Sequence, residues 1–588
     1  MATLTTPAPP SRPEQESTLP RPHYRRPLGV GRETWVQYAV LALLAVLVLA
    51  PVVPTLYQSI LDRPLYEAGG VFTPGNYLRL FTEAGFGTVV LNTALFAVGT
   101  TALTLLIAVP MAVVVVRTKL PGGRLFAAAM QWPFFISSLI LGFGGSPFTA
   151  PPGLSAPGCA RRSGRFPGTS TRSPGWRSPR RSRWPPSPTY SAPTPCASPT
   201  PRWRAAQVCG AGPLRILFSI IIPMLRPPMV YSSILVFSMS IETLSVPLLY
   251  GQPVGIEVFS TFLYSNGLQS INPDYGILGA ASTIILVVTI SLVAVQAKLL
   301  KKAQRFVSVR GKATRPRRLD LGWVKWVSVV ALSIYVVFGA LLPIGGLVFR
   351  SFTLIFTPLQ SPLETLTMAN YQRVFGFEVY IQSIWNSLIV AGVGAVAVSL
   401  LSVLAVVVAR RSSFRFARTI EYLALAPQAI PGIIIGIGLF WAFAYAPFGI
   451  GGLIQGTLFA LIIGFGLRAL PTGFGSIAPS VMQIGQELDN AARVSGADWV
   501  RTFTRVLGRL LTPAFAGAMI LTFVAMLKEY SPAIFLASAD SNIIGTTMLE
   551  LWVQGNTGSV AALATIQIVI TAAFVGAAGL LMKGHTNA

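Results

Sequence analysis

The sequence predicts an all-α, polytopic helical membrane protein made of two tandem parallel repeats of about six spans each. Three observations carry that prediction. Charged residues are 11% of the chain and apolar residues 52%, where a soluble globular domain has roughly 25% charged residues. With a mean hydropathy of +0.62, the chain cannot cover its surface with polar groups, so lipid is its main solvent. Apolar runs long enough to cross a bilayer recur along it, and two of its stretches repeat the same residues 294 positions apart.

The net charge of +26 suggests nucleic acid in a soluble chain, but its placement argues otherwise. Residues 145–204 and 298–325 together hold 19 of those 26 charges, so no nucleic-acid partner is expected. Cys159, Cys196 and Cys209 have neither metal spacing nor a disulfide framework. The two histidines, His23 and His585, lie in the tails, which leaves no histidine-based active site or haem. No cofactor or metal site is expected, and no G-x-x-x-x-G-K-[ST] loop is present to bind ATP.

Residues 1–34, rich in Pro, Arg, Ser and Thr, read as a disordered cytoplasmic tail. The run from Trp35 to Tyr57 is longer than a signal-peptide core and has no small-residue cleavage pattern after it, so it reads as a retained span. Further runs cover about 88–116, 123–144, 229–250, 276–297, 326–349, 383–409, 418–446, 449–470, 514–537 and 558–582, making eleven. Basic loops at Arg117–Arg124, Lys298–Lys325 and Arg410–Arg418 fall on one side if the N-terminus is cytoplasmic. The opposite loops carry Asp62, Glu67, Glu83, Asp274 and Glu550. That alternation is the positive-inside pattern.

The repeat is read from residues. Asn76-Tyr77-Leu78-Arg79-Leu80-Phe81 matches Asn370-Tyr371-Gln372-Arg373-Val374-Phe375, and Leu91-Asn92-Thr93 matches Trp385-Asn386-Ser387. Arg117 with Arg411, Pro133 with Pro427, Gly142 with Gly436 and Gly144 with Gly438 keep the same offset of 294. Residues 35–297 are then a first copy, 298–325 a basic cytoplasmic linker and 326–588 a second copy. Both copies start on one side, which gives a parallel repeat about an axis along the membrane normal.

A second match holds at an offset of 286. Arg204-Ala205-Ala206-Gln207-Val208-Cys209-Gly210, with Ile220 and Pro223 beyond it, pairs with Asn490-Ala491-Ala492-Arg493-Val494-Ser495-Gly496, followed by Val506 and Pro513. Each reads as a short helix, a glycine break and a second helix leading into the next span. Small alanines let another protein's surface approach closely, and the glycine permits a sharp turn. A cytoplasmic helix of this kind suits docking in a partner's groove.

On these residues the chain resembles the permeases of ATP-binding-cassette importers, whose cytoplasmic signature is E-A-A, three residues, G, nine residues, I-x-L-P. In the first copy Ala205, Ala206, Gly210, Ile220 and Pro223 match, with Arg204 in place of Glu and Ile222 in place of Leu. In the second, Ala491, Ala492 and Gly496 match, while Asn490, Val506, Gly508 and Arg509 depart from the pattern. With the repeat, the resemblance covers nearly the whole chain from about residue 35. It is most similar to the fused two-copy permeases of the ferric-iron branch, which are related to those for thiamine, polyamines and phosphonates.

The resemblance implies a pathway and not an enzyme. Two separate ATPase subunits would each grip one loop, and a periplasmic or extracellular solute-binding protein would deliver cargo at the opposite face. The chain would sit multi-pass in a bacterial inner membrane. The alternative is an ion-coupled secondary transporter, which also uses repeats and midplane acids but needs no docking loops. Glu242 and Glu529 lie about 15 residues past a motif proline, read as near the middle of corresponding spans. They are expected either to line the pathway as a gate or to pair with a neighbouring helix or Lys528.

Residues 145–204 break the pattern. They hold 14 Pro, 10 Arg and 10 Ser but one Leu and no Ile, Val or Met, a composition that cannot form a lipid-exposed helix. The matching stretch of the second copy contains a whole span, so the first copy is one span short. The segment reads as a stretch translated in a shifted frame. Codons reread in the next frame allow an Ala/Leu-rich run at 178–188 and the lead-in L-A-D-P-A-L at 198–203. The competing reading is a true disordered insertion whose basic residues touch lipid headgroups.

Overall fold

A computed structural model describes residues 32–67, 69–145, 219, 223, 225–303, 322–354, 364–446, 449–485 and 487–586. Most of the tail 1–34, most of the segment 145–204 and the middle of the linker lie outside the described residues. Among those described, helices and loops make the fold, with two isolated bridges, Leu61 with Phe72 and Thr353 with Leu366.

Eight helices are long and apolar enough to cross a membrane, and three bent pairs bring the number to eleven if each is one span. In the first half these are α1 (Arg32–Ser59), α3 (Phe86–Arg117), the pair α4 (Gly123–Phe135) and α5 (Ser138–Gly144), α6 (Arg226–Glu242) with its continuation, and α7 (Tyr275–Ala303). A short α2 (Gly75–Thr82) precedes α3. In the second half they are α8 (Val324–Val336) continuing into α9 (Leu342–Ser351), α11 (Glu378–Arg411), the pair α12 (Ala417–Leu425) and α13 (Gly432–Ala444), α14 (Leu458–Gln483), α16 (Gly508–Leu527) and α18 (Thr557–Thr586). The short α10 (Ala369–Gly376), α15 (Glu487–Val494) and α17 (Ile544–Val553) complete the order. At about 1.5 Å per residue, the 26 residues of α14 reach about 39 Å, enough to span a hydrocarbon core of about 30 Å with tilt.

Several expected boundaries move. The run 123–144 is bent by 104° and the run 418–446 by 109°. Both breaks come just after a proline-containing turn, at Pro133 and Pro427, where the chain passes through extended residues: Ile136 and Ile430 have ψ of 142° and 114°. The span expected at 449–470 is α14, which starts at Leu458 and runs to Gln483 through Pro471 and Pro479. The span expected at 514–537 ends at Leu527, because Ser531 and Pro532 follow and a residue before proline leaves the helical region. Helix α7 carries Lys298 to Ala303 of the expected linker.

Residues that recur in sequence make the same bonds. The Asn76 amide donates to the Ser59 and Leu61 carbonyls at 3.1 and 2.6 Å. The Asn370 amide donates to Ser351 and Thr353, each at 3.0 Å. Tyr77 donates to Ser59 Oγ, and Tyr371 meets Ser351 Oγ, both at 2.9 Å. The Asn92 and Asn386 amides donate to the carbonyls of Glu257 (3.0 Å) and Asn542 (2.9 Å). Thr93 and Ser387 accept from the Phe259 and Ile544 amides, each at 2.9 Å. Asn76 and Asn370 satisfy carbonyls at and just beyond the ends of α1 and α9, and each is roofed by a glycine, Gly276 or Gly558, with no space for a Cβ.

The two halves are laced together. Gly144 of α5 packs on the Pro343 backbone of α9, and Gly438 of α13 packs on the Pro51 backbone of α1; a Cβ at either glycine would overlap the proline carbonyl. Phe143 meets Trp552 at 4.9 Å between ring centroids. One apolar core runs through both halves, from Val40 and Leu44 to Leu563 and Ala564. Within the second half α14 is wedged between α11 and α16. Small residues allow it, with Gly473 against Ser402 and Gly466 against Val398.

Candidate functional site

Two places gather polar chemistry: a charged cluster between the halves, and a helix–glycine–helix turn at one end.

The cluster forms where helices stop. Glu242 is the last residue of α6 and Thr243 is already extended, with ψ of 117°. Glu529 lies two residues beyond the end of α16. Neither is in the middle of a straight span, as the sequence suggested. Each precedes a proline, Pro247 or Pro532, and the lost helical bonds leave backbone groups for side chains to meet. Glu529 Oε1 accepts from the amides of Tyr530 (3.2 Å) and Ser531 (3.1 Å).

The partner of both carboxylates is Arg468 on α14. Its guanidinium is bonded to Glu242 Oε1, lies 3.5 Å from Glu529 Oε2 and donates to the Ile430 carbonyl at 3.2 Å. The three side chains are only 15–21% exposed. Lys528 turns the other way, donating to the Phe134 carbonyl at 2.7 Å with its ammonium 4.3 Å from the Phe134 ring centroid. The sequence flagged both glutamates and expected them to line the pathway or to pair with a neighbouring helix or Lys528; the charge that meets them is on a neighbouring helix, α14. Arg468 was missed, although it is the one charged residue in α14, and a lone charge in a span is itself a functional signal.

Hydroxyls extend the cluster. Ser138 meets Ser245 at 2.9 Å, and Ser245 meets the Tyr530 hydroxyl at 2.6 Å. Two cavities flank it, one of about 160 Å³ reaching Ser138, Ser245 and Tyr530, the other of about 270 Å³ reaching Gln296 and Gln428. Met239, Glu242, Arg468, Lys528 and Glu529 line both, so this cluster is the septum between them. Among the described residues no group of three or more His, Cys, Asp or Glu side chains could hold a metal ion.

At the far end of α14 the expected helix–glycine–helix shape is present. Helix α15 ends at Val494, Gly496 takes φ of +79°, and Trp499–Thr502 continues through a π-helical turn, Phe503–Leu507, into α16. Ala491 is exposed and Ala492 half-buried. Val506 is half-buried within the π turn, and Pro513 is exposed inside α16. Leu488 and Val494, 43% and 90% exposed, share the outer face with Ala491 at spacings of three. Arg411, 6% exposed, bonds Asp489 of α15 at 2.7 Å and the carbonyls of Val481 (2.9 Å) and Ile484 at the end of α14. One guanidinium thus caps α14 and moors α15. In the first half Pro223 is helical and half-buried, while Ala205, Ala206, Gly210 and Ile220 lie outside the described residues.

The model of the family described as "Binding-protein-dependent transport system inner membrane component" matches residues 198–305 and 401–584. The chain is similar to the ferric transport system permease protein FbpB of Actinobacillus pleuropneumoniae, 28% identical over 63% of this chain and 53% of that one. It is 30% identical to the protein ORF1 of Streptomyces antibioticus, described as an ABC transporter permease, over 29% of this chain and 72% of that one. It is 28% identical to the molybdenum transport system permease protein ModB of Mycobacterium bovis, over 30% of this chain and 69% of that one. The chain spans about half the length of the ferric permease it matches.

Proposed function

The chain belongs to the family of binding-protein-dependent transport system inner membrane components, and from that premise we propose that it is the membrane-spanning permease subunit of an ATP-driven importer. The observation that carries this reading is the moored helix α15, which offers Leu488, Ala491 and Val494 outward at one end of the helix whose Arg468 stands between the two cavities. An apolar stripe on an exposed helix fits a partner's groove. Here the partner is an ATPase subunit, and the loop of Ala205, Ala206, Gly210, Ile220 and Pro223 takes a second one. Ala491, Ala492, Gly496, Val506 and Pro513 form the first docking loop. Glu242 and Glu529 belong to the pathway's gate.

The two halves are read as parallel repeats, supported by the paired bonds of Asn76 with Asn370 and Thr93 with Ser387. The N-terminus and the docking loops are cytoplasmic on the positive-inside pattern, and a solute-binding protein delivers cargo on the other side. Ferric iron or a related small solute is the cargo, supported by the similarity to a ferric transport permease and set in practice by the binding protein. The segment 145–204 is read as frame-shifted. It stands where the second half has α14, and the family match in the first half begins at residue 198.

The test is reconstitution with the ATPase and solute-binding proteins encoded beside this gene. Uptake is expected to require ATP and both partners and to survive collapse of the ion gradient. Uptake that follows the gradient without an ATPase would establish the secondary transporter instead. Resequencing codons 140–210 decides the segment: two compensating indels restore a span, and an unchanged read makes it an insertion or a damaged gene.

A further inference from the structure

Arg468 is held unequally by the two halves. Its own half gives it two anchors, the Ile430 carbonyl at 3.2 Å and Glu529 at 3.5 Å. Glu529 is itself fixed by the Tyr530 and Ser531 amides. From the other half comes a single carboxylate, Glu242, bonded to the guanidinium. The pair sits in the septum that separates the 160 Å³ and 270 Å³ cavities. Lys528 of the second half crosses to Phe134 beside it, and Tyr530 crosses to Ser245.

We propose that Arg468 is the latch of the passage, working by exchange between the two glutamates. With the halves together its bond to Glu242 closes the septum. When they rock apart it withdraws onto Glu529 and Ile430, which move with it, and Glu242 is left facing the opening. Glu529 is thus the positioning residue that keeps the guanidinium neutralised while the passage is open. A buried arginine with no carboxylate is strongly disfavoured, so a latch of this kind needs a resting partner in its own half. This rests on the permease reading and deepens it.

The exchange assigns unequal effects to two chemically identical substitutions. The full chain is reconstituted alone in liposomes loaded with rubidium ions, and passive efflux is followed. Glu242→Gln removes the cross-half bond but leaves Arg468 with Glu529, and efflux is expected to rise about tenfold, the equivalent of about 1.4 kcal/mol of lost closure. Glu529→Gln leaves the cross-half bond in place, and efflux is expected to rise far less than in Glu242→Gln. Equal leaks from both variants, no leak from either, or the larger leak from Glu529→Gln would each overturn the exchange. Should Glu242→Gln not remain monodisperse, Glu242→Met, of similar length and uncharged, serves the same comparison. Capture of the ATPase by the wild-type chain does not involve the septum, so its failure would sink the permease reading separately.

Discussion

At the scale of single residues, conformation at Gly496 and charge at the septum are separable. Gly496 has φ of +79° and nothing within 4 Å of the place a Cβ would take, so a side chain there meets strain and no clash. Gly496→Val is expected to weaken capture of the ATPase by about 1–2 kcal/mol, the cost of left-handed backbone for an ordinary residue. Gly496→Asn, which tolerates that region, is expected to lose much less. A pull-down with equal losses for both would mean that the side chain, and not the turn, is recognised. The glycine was legible because a break between two amphipathic stretches leaves few other residues able to make it. Glu242 and Glu529 were legible as acids among apolar residues, yet their partner was not. Pairing across 226 positions depends on how α14 packs between α11 and α16, and no local pattern encodes that.

At the scale of elements, the apolar runs were legible because a bilayer demands about 20 apolar residues whatever the fold. Their breaks were not. Pro471 and Pro479 lie inside the continuous helix α14, whereas Pro532 follows the end of α16. A proline in a membrane bends or ends a helix according to which neighbours take up the freed carbonyls, and those neighbours are tertiary. The mooring of α15 makes a prediction at this scale. Arg411→Ala removes the bond to Asp489 and the contacts to the Val481, Ile484 and Gly485 carbonyls, and amide exchange over 487–494 is expected to quicken about a hundredfold or more, since breaking a buried pair costs about 3–5 kcal/mol. Arg411→Lys is expected to rescue it only in part, because an ammonium lacks the planar fork that reaches four acceptors. Unchanged exchange in Arg411→Ala would show that α15 is held by its own packing.

At the scale of the whole molecule, the closest backbone contacts between the halves include Gly144 on Pro343 and Gly438 on Pro51. Expressed as two polypeptides divided in the linker, residues 1–310 and 311–588, the halves are expected to copurify. Gly144→Leu together with Gly438→Leu should separate them, as overpacking costs about 1–3 kcal/mol at each site. Copurification of that double variant would place the main attachment elsewhere. The overall order of elements was legible from the offset of 294. The lacing was not, because a sequence repeat says which residues correspond and not which of them touch. That lacing has a historical consequence. A contact in which each partner presents the same patch to the other is isologous, the kind that closes a two-fold homodimer. The glycine-on-proline contacts have this form, so a single half could have assembled with its twin before any fusion existed. In one polypeptide the two sides of such an interface are free to differ, and Glu242 and Arg468 face each other across it as unlike partners.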